Sequence, residues 1–220
     1  MKTSIYNHIF LMLCAIVVLT SCDAHRDFPD TSMKAGHILC TDGQVYTLDA
    51  VRLAGKQPIA VVFYVNNNPD IEGSGYAVYL HELPVCEFAD SLGISQGTSC
   101  DLTAHDGNAN TYALYAARDC SSPLATAVFD MWRYGQSAYI PSVAQLRLLY
   151  NARSIINPII EAYDGDVVPT DSDSDWVWSS TEVEGQQDAK AWLYSLNSGA
   201  MQECPKNQPH ISRPIITINR

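Results

Sequence analysis

Tyr139-Ile140-Pro141-Ser142-Val143-Ala144-Gln145-Leu146-Arg147-Leu148-Leu149-Tyr150 is the stretch on which the fold turns. A short apolar strand end runs into Pro141. Ser142 with Gln145 three places on then forms a capping box, in which the hydroxyl and the side-chain amide satisfy backbone N–H groups at the start of a helix. The helix begins at Val143, with Val143, Leu146, Leu149 and Tyr150 on one side. Its companion is Trp176-Val177-Trp178-Ser179-Ser180-Thr181-Glu182, two indoles on one face of a strand followed by a run of hydroxyls. A proline and a serine at a turn resemble an active-site corner. The spacing instead makes Ser142 a cap and Leu146 and Leu149 core.

The N-terminus reads as a targeting segment. Lys2 is followed by an apolar run over residues 9–19, too short to span a bilayer as a helix. Leu19-Thr20-Ser21-Cys22 resembles the lipobox of bacterial lipoproteins, in which a peptidase cuts before the cysteine and the thiol takes lipid. The organisation expected is a signal peptide over residues 1–21, lipid on Cys22, a polar tether over 22–35 and one domain over 36–220. Several acyl chains would hold such a protein stably, where a single chain binds only marginally. The cell envelope follows as its location, with the outer membrane preferred; Asp23 is a sorting residue whose meaning differs between lineages.

Thirteen Lys and Arg against 24 Asp and Glu leave a formal charge of −11. That balance repels phosphate backbones and excludes nucleic acid as a partner on charge grounds. Beyond Cys14 and Cys22, five cysteines remain: Cys40, Cys86, Cys100, Cys120 and Cys204. In an oxidising compartment they imply structural disulfides, at most two, with one thiol over and the pairing open. No Cys-x-x-Cys motif is present.

Along the chain, residues 37–40 and 45–48 read as a hairpin around Asp42-Gly43. Residues 58–65 read as a central strand and 75–83 as another. Residues 84–107 read as loop with a short helix near 87–92. Asn110 and Ser122-Pro123 offer caps for two helices, and Asn157-Pro158 the start of one more. Strands follow at 176–182, 189–196, 200–204 and 211–218. The last needs an existing sheet to join, which the N-terminal hairpin could supply.

Asp106-Gly107-Asn108-Ala109-Asn110-Thr111, Tyr139-Ile140-Pro141-Ser142 with Gln145-Leu146, Trp178-Ser179-Ser180-Thr181-Glu182 and Arg213-Pro214 stand in an order that resembles the bacterial family named for the C-terminal domain of a collagen-like adhesin. The resemblance covers about residues 36–218. It implies a single α+β domain of C-type-lectin-like fold, with mixed or antiparallel sheets, two or more packed helices, paired N- and C-terminal strands and a loop surface that binds other molecules. Ile140 stands where the family more often has an aromatic-leucine pair, Gln145 replaces a glutamate, and Val177 separates the two tryptophans.

Asp171, Asp173 and Asp175 alternate as carboxylates around a hard cation such as calcium do. They lack the glycine and closing glutamate of an EF-hand loop, and a solvated acidic loop is the preferred reading. Gly93-Ile94-Ser95-Gln96-Gly97 matches a nucleophile elbow on paper, without the strand before it or the helix after it. The histidines are scattered, with no metal-ligand spacing. Lys190, Trp192 and Tyr194 share one strand face and are the candidate ligand surface; no cofactor is implied. The function expected is a lipid-anchored, non-catalytic binding or adhesion domain for a glycan or protein ligand. The alternative is a structural or accessory subunit of a surface assembly such as a pilus. A hydrolase or thiol enzyme ranks last.

Overall fold

The computed structural model describes residues 32–219, apart from 72, 118, 133–136 and 171–175. Strands β1 (Ile38–Cys40) and β2 (Val45–Tyr46) form the expected hairpin, with Gly43 at φ 75° supplying the left-handed turn. The second arm stops early. Thr47 accepts a hydrogen bond from the Ala50 N–H and caps helix α1 (Leu48–Ala54), which ends on Gly55 at φ 58°. The cap and the glycine stop are both visible in the sequence, where alternation alone suggests strand.

Strand β3 (Pro58–Val65) is central, flanked by β1 on one side and β4 (Gly75–Tyr79) on the other. The C-terminal strand β10 (Ile215–Ile218) closes this five-stranded antiparallel sheet in the order β10-β4-β3-β1-β2. It therefore pairs with β4, Ile215 opposite Val78, and not with the N-terminal hairpin. The hairpin already occupies the far side of β3, so the chain ends share a sheet without touching across it.

The second sheet has the order β5-β9-β6-β7-β8, built from β5 (Leu83–Glu87), β6 (Trp176–Glu182), β7 (Lys190–Ser195), β8 (Met201–Pro205) and β9 (Pro209–Ser212). Only the β6–β9 pairing is parallel. β5 corrects the expectation of loop and helix there: its middle, Pro84 and Val85, is exposed at a sheet edge and breaks the alternating signal. The single strand expected over 211–218 is two strands in two sheets. Pro214 offers no N–H to a ladder, and the buried Arg213 side chain turns inward to the Asp166 carbonyl at 2.6 Å and the Glu82 carboxylate at 3.3 Å.

The remaining helices are α2 (Gly107–Ala116), α3 (Pro123–Trp132) and α4 (Val143–Glu161). Ser122 caps α3, its hydroxyl accepting from the Ala125 N–H at 3.1 Å. Asn110 is not the expected cap of α2 but lies inside it, buried. The capping box of Ser142 and Gln145 opens α4 with both hydrogen bonds formed. That helix runs on through Pro158, where a new helix was expected; Asn157 instead holds Val168 by its backbone N–H and carbonyl at 3.0 and 2.8 Å. α4 lays Leu146, Leu149, Ile156 and Ile160 on Val61 and Val78 of the first sheet. A second core gathers Trp178, Phe88, Leu114, Leu124 and Ile140. The unit Met33–Arg220 is thus an α+β domain with two mostly antiparallel sheets.

The expected disulfides are absent: all five described cysteines are free thiols. Each stands on a separate element with its own neighbours. Cys40 lies on β1 in a small core with Ile38 and Val51, Cys86 and Cys204 on the two edge strands of the second sheet, Cys120 beside Asp90, and Cys100 in a loop. Residues 1–31, with Cys22 and most of the tether, and Asp171, Asp173 and Asp175 lie outside the described residues. Among those described, no helix is long and apolar enough to cross a membrane.

Candidate binding cleft

The hydroxyl run of β6 is structural glue. Ser179 donates to the Trp192 carbonyl at 2.8 Å, the Ser180 N–H to the Pro141 carbonyl at 2.9 Å, and the Val143 N–H to Thr181 Oγ1 at 3.2 Å. Thr111 of α2 accepts from the Ile140 N–H at 2.8 Å. A Cβ on Gly107 would stand 2.4 Å from Gln145 Oε1 and 2.6 Å from the Ile140 carbonyl, so only glycine lets α2 approach the start of α4. These bonds join the two stretches that organise the chain and exclude Ser142, wholly buried, from chemistry at the surface.

At the end of β6, Glu182 enters the interior. Its carboxylate accepts from Lys206 Nζ at 2.5 Å, the Gln96 N–H at 2.9 Å and Ser95 Oγ at 3.1 Å. Both charged side chains are fully enclosed. Ser95, the serine of the elbow-like motif, therefore serves a carboxylate, not a histidine. Sequence reading missed this cluster because Lys206 lies 24 residues from Glu182 and 110 from Gln96. A lone lysine after a strand carries no signal of burial.

A cleft of about 550 Å³ is lined by Cys100, Asp101, Leu102, Glu184, Trp192 and Glu203, with Val183, the residue after Glu182, also on its wall. Its size is that of small-ligand sites. Of the expected surface, Trp192 is half-buried and lines the cleft, and Lys190 bridges Glu203 at 2.9 Å on its rim. Tyr194 is 2 % exposed and packs edge-on against Tyr150 at 6.3 Å, so it belongs to the core. The strand face is open at one end only, because α4 covers the other.

The cleft is acidic, with one aromatic wall. Glu203 is held below the usual carboxylate range by its bond to Lys190, and Asp101 by its bonds to Thr103. Burial pushes the Cys100 thiol up, and does the same to Cys40, Cys86 and Cys204. Such thiols are protonated and poor nucleophiles at neutral pH. Cys204 lies 3.5 Å from His210 Nε2, yet burial also pulls this imidazole down, which disfavours an ion pair.

His105, within 3.5 Å of the Tyr76 hydroxyl, is likewise pulled down by burial. Both imidazoles are thus neutral in the fold and free to take a proton in the unfolded chain. Their stabilising effect is complete above the ordinary value of 6.5 and is lost as pH falls below it toward the folded values. Melting temperature should decline as pH falls below about 6.5, ahead of the carboxylates that titrate near 4. Thermal scans of His105→Asn and His210→Asn should show a flatter decline; an unchanged slope in both would rule the histidines out as its source.

No family model matches the chain, and no curated protein matches it. Among solved structures, a fimbrial protein from Bacteroides ovatus superposes with a TM-score of 0.65 over 84 % of this chain. The two are 17 % identical, and the match takes in 49 % of the other chain. The chain thus spans about half of the fimbrial protein's length, and what the two share at this identity is the fold.

Proposed function

We propose that the protein is a lipid-anchored subunit or accessory of a fimbria-like assembly at the cell surface. The observation that carries this reading is the fold likeness to the fimbrial protein across most of the chain. The lipobox-like Leu19-Thr20-Ser21-Cys22 supplies a means of attachment, and the outer membrane is the location that suits both. The protonated thiols favour a domain without catalysis. The test is an epitope-tagged full chain in the bacterium that carries it. Surface labelling of intact cells, co-purification with sheared filaments and loss of both in Cys22→Ser are the expected results. A protein that stays periplasmic, outside any large assembly, would overturn the proposal.

The cleft beside Trp192 favours a second role, holding a glycan or a peptide side chain at the tip or flank of such an assembly. This agrees with the loop-surface binding that the resemblance to the collagen-like adhesin's C-terminal domain implies. An indole wall ringed by Asp101, Glu184 and Glu203 suits the apolar face and hydroxyl rim of a neutral or cationic sugar. Trp192→Ala should abolish retention on a glycan array and lower the urea midpoint by less than removal of a fully buried tryptophan, because the ring is only partly buried. An array on which wild type and Trp192→Ala behave alike would remove the sugar reading.

A further inference from the structure

Lys206, Glu182 and Gln96 form a buried cluster at the end of β6. Lys206 and Glu182 have no exposed side-chain surface, and Gln96 is 5 % exposed. Lys206 Nζ donates to Gln96 Oε1, to Glu182 Oε1 and to the Ile94 carbonyl at 3.2 Å, with the Phe88 ring 5.5 Å away on its open side. Gln96 Nε2, by contrast, is buried and has no hydrogen-bond partner among the described residues. Its assignment as nitrogen is secure, since the ammonium beside Oε1 can only donate. An amine thus rests against a carboxamide whose oxygen is held and whose nitrogen is not, while a carboxylate accepts both from that amine and from the backbone N–H of Gln96.

We propose that Lys206 and Gln96 join in an intramolecular isopeptide bond, with Glu182 moving the protons. In water a protonated amine and an unreactive amide do not combine. Here the carboxylate already lies against the ammonium and the carboxamide beside both, so fixed proximity replaces the encounter. Glu182 takes one proton from the ammonium, freeing the Nζ lone pair to attack Cδ of Gln96. The carboxyl delivers that proton to Nε2 and accepts another from Nζ. The Cδ–Nε2 bond breaks, ammonia leaves, and Nζ is bonded to Cδ as an amide. Glu182 ends as a neutral carboxyl where the cation has gone. The exchange consumes no oxidant, reductant or co-reactant.

The bond would tie the loop before α2 to the turn between β8 and β9, positions 110 residues apart. It is a covalent brace that owes nothing to the unpaired cysteines, and it does not depend on the surface role proposed above. The experiment is a reducing tryptic digest of the purified full chain read by mass spectrometry. The expected product is one species joining residues 57–118 to 191–220, uncut after Lys206 and lighter than the two separate peptides by one ammonia. A species in which fragmentation places the link between Lys206 and Glu182, in the peptide of residues 154–190, with residues 57–118 released alone, would overturn Gln96 as the acceptor and assign Glu182. Separate peptides with cleavage after Lys206 would overturn the bond altogether. Glu182→Gln should yield the separate peptides; a joined species in that variant would remove Glu182 from the reaction. Because the wild-type digest decides the bond by itself, a variant that folds poorly leaves the result standing.

Discussion

Lys206→Met should lower the unfolding free energy by about 3–5 kcal/mol, the usual cost of removing one partner of a buried pair. The Glu182 carboxylate would keep the Gln96 N–H at 2.9 Å and the Ser95 hydroxyl at 3.1 Å but lose the group opposite its charge. Both side chains have zero exposure, so bulk solvent does not compensate the charge. If Lys206 is acylated, the covalent link is lost as well and the cost is no smaller. The double variant Lys206→Met/Glu182→Gln should recover only the part of the loss that comes from the unpaired charge, because the uncharged amide can still accept from the Gln96 N–H. Urea denaturation of wild type, the single and the double variant measures all three. A single-variant loss below about 1 kcal/mol, the size of an exposed pair, would mean that the site is wet in solution.

Trp178→Ala should cost about 3–5 kcal/mol, the range for deleting a large aromatic from a core that cannot close the gap. The ring is fully buried between Phe88 at 5.5 Å and His210 at 5.3 Å, both edge-on. Its Nε1 donates to the Cys86 carbonyl at 3.1 Å, which ties β6 to the edge strand β5. Trp176→Ala is the internal comparison: it lies on the same face but is only half-buried, so it should cost well under half as much. Denaturant midpoints at constant slope give both numbers. Equal costs would mean that the indole at 178 has no special place in the core.

The two organising stretches were legible because their signals are local. The cap at Ser142, the proline at the start of α3 and the tight turn at Gly43 each involve residues within a few positions of one another. Where the reading failed, a distant partner had overridden local preference. Asn157 reads as a helix start, yet Val168 occupies its side chain and α4 passes straight through. The strand over 211–218 reads as continuous, yet Arg213 has its partners at Asp166 and Glu82 and splits it between two sheets. The oxidising compartment implied by the N-terminus suggested disulfides, but the topology puts the described thiols on separate elements.

The same division holds for the candidate site. Trp192 and Lys190 were found from strand alternation, which places them on one face. Alternation is blind to what covers that face, and Tyr194, two residues further on, is buried against Tyr150 of α4. By itself the sequence determined the capped helix, the tryptophan strand, the acidic charge and the lipobox-like start, all of which rest on composition or on spacing within one element, while the α+β class came from the order of several motifs that resemble a known family. Only the tertiary structure decided that β10 closes on β4, that the cleft opens beside Trp192, and that Lys206, Glu182 and Gln96 meet out of reach of bulk solvent. Those depend on how two sheets and α4 pack, and a buried contact across 110 residues leaves no periodic trace in the chain.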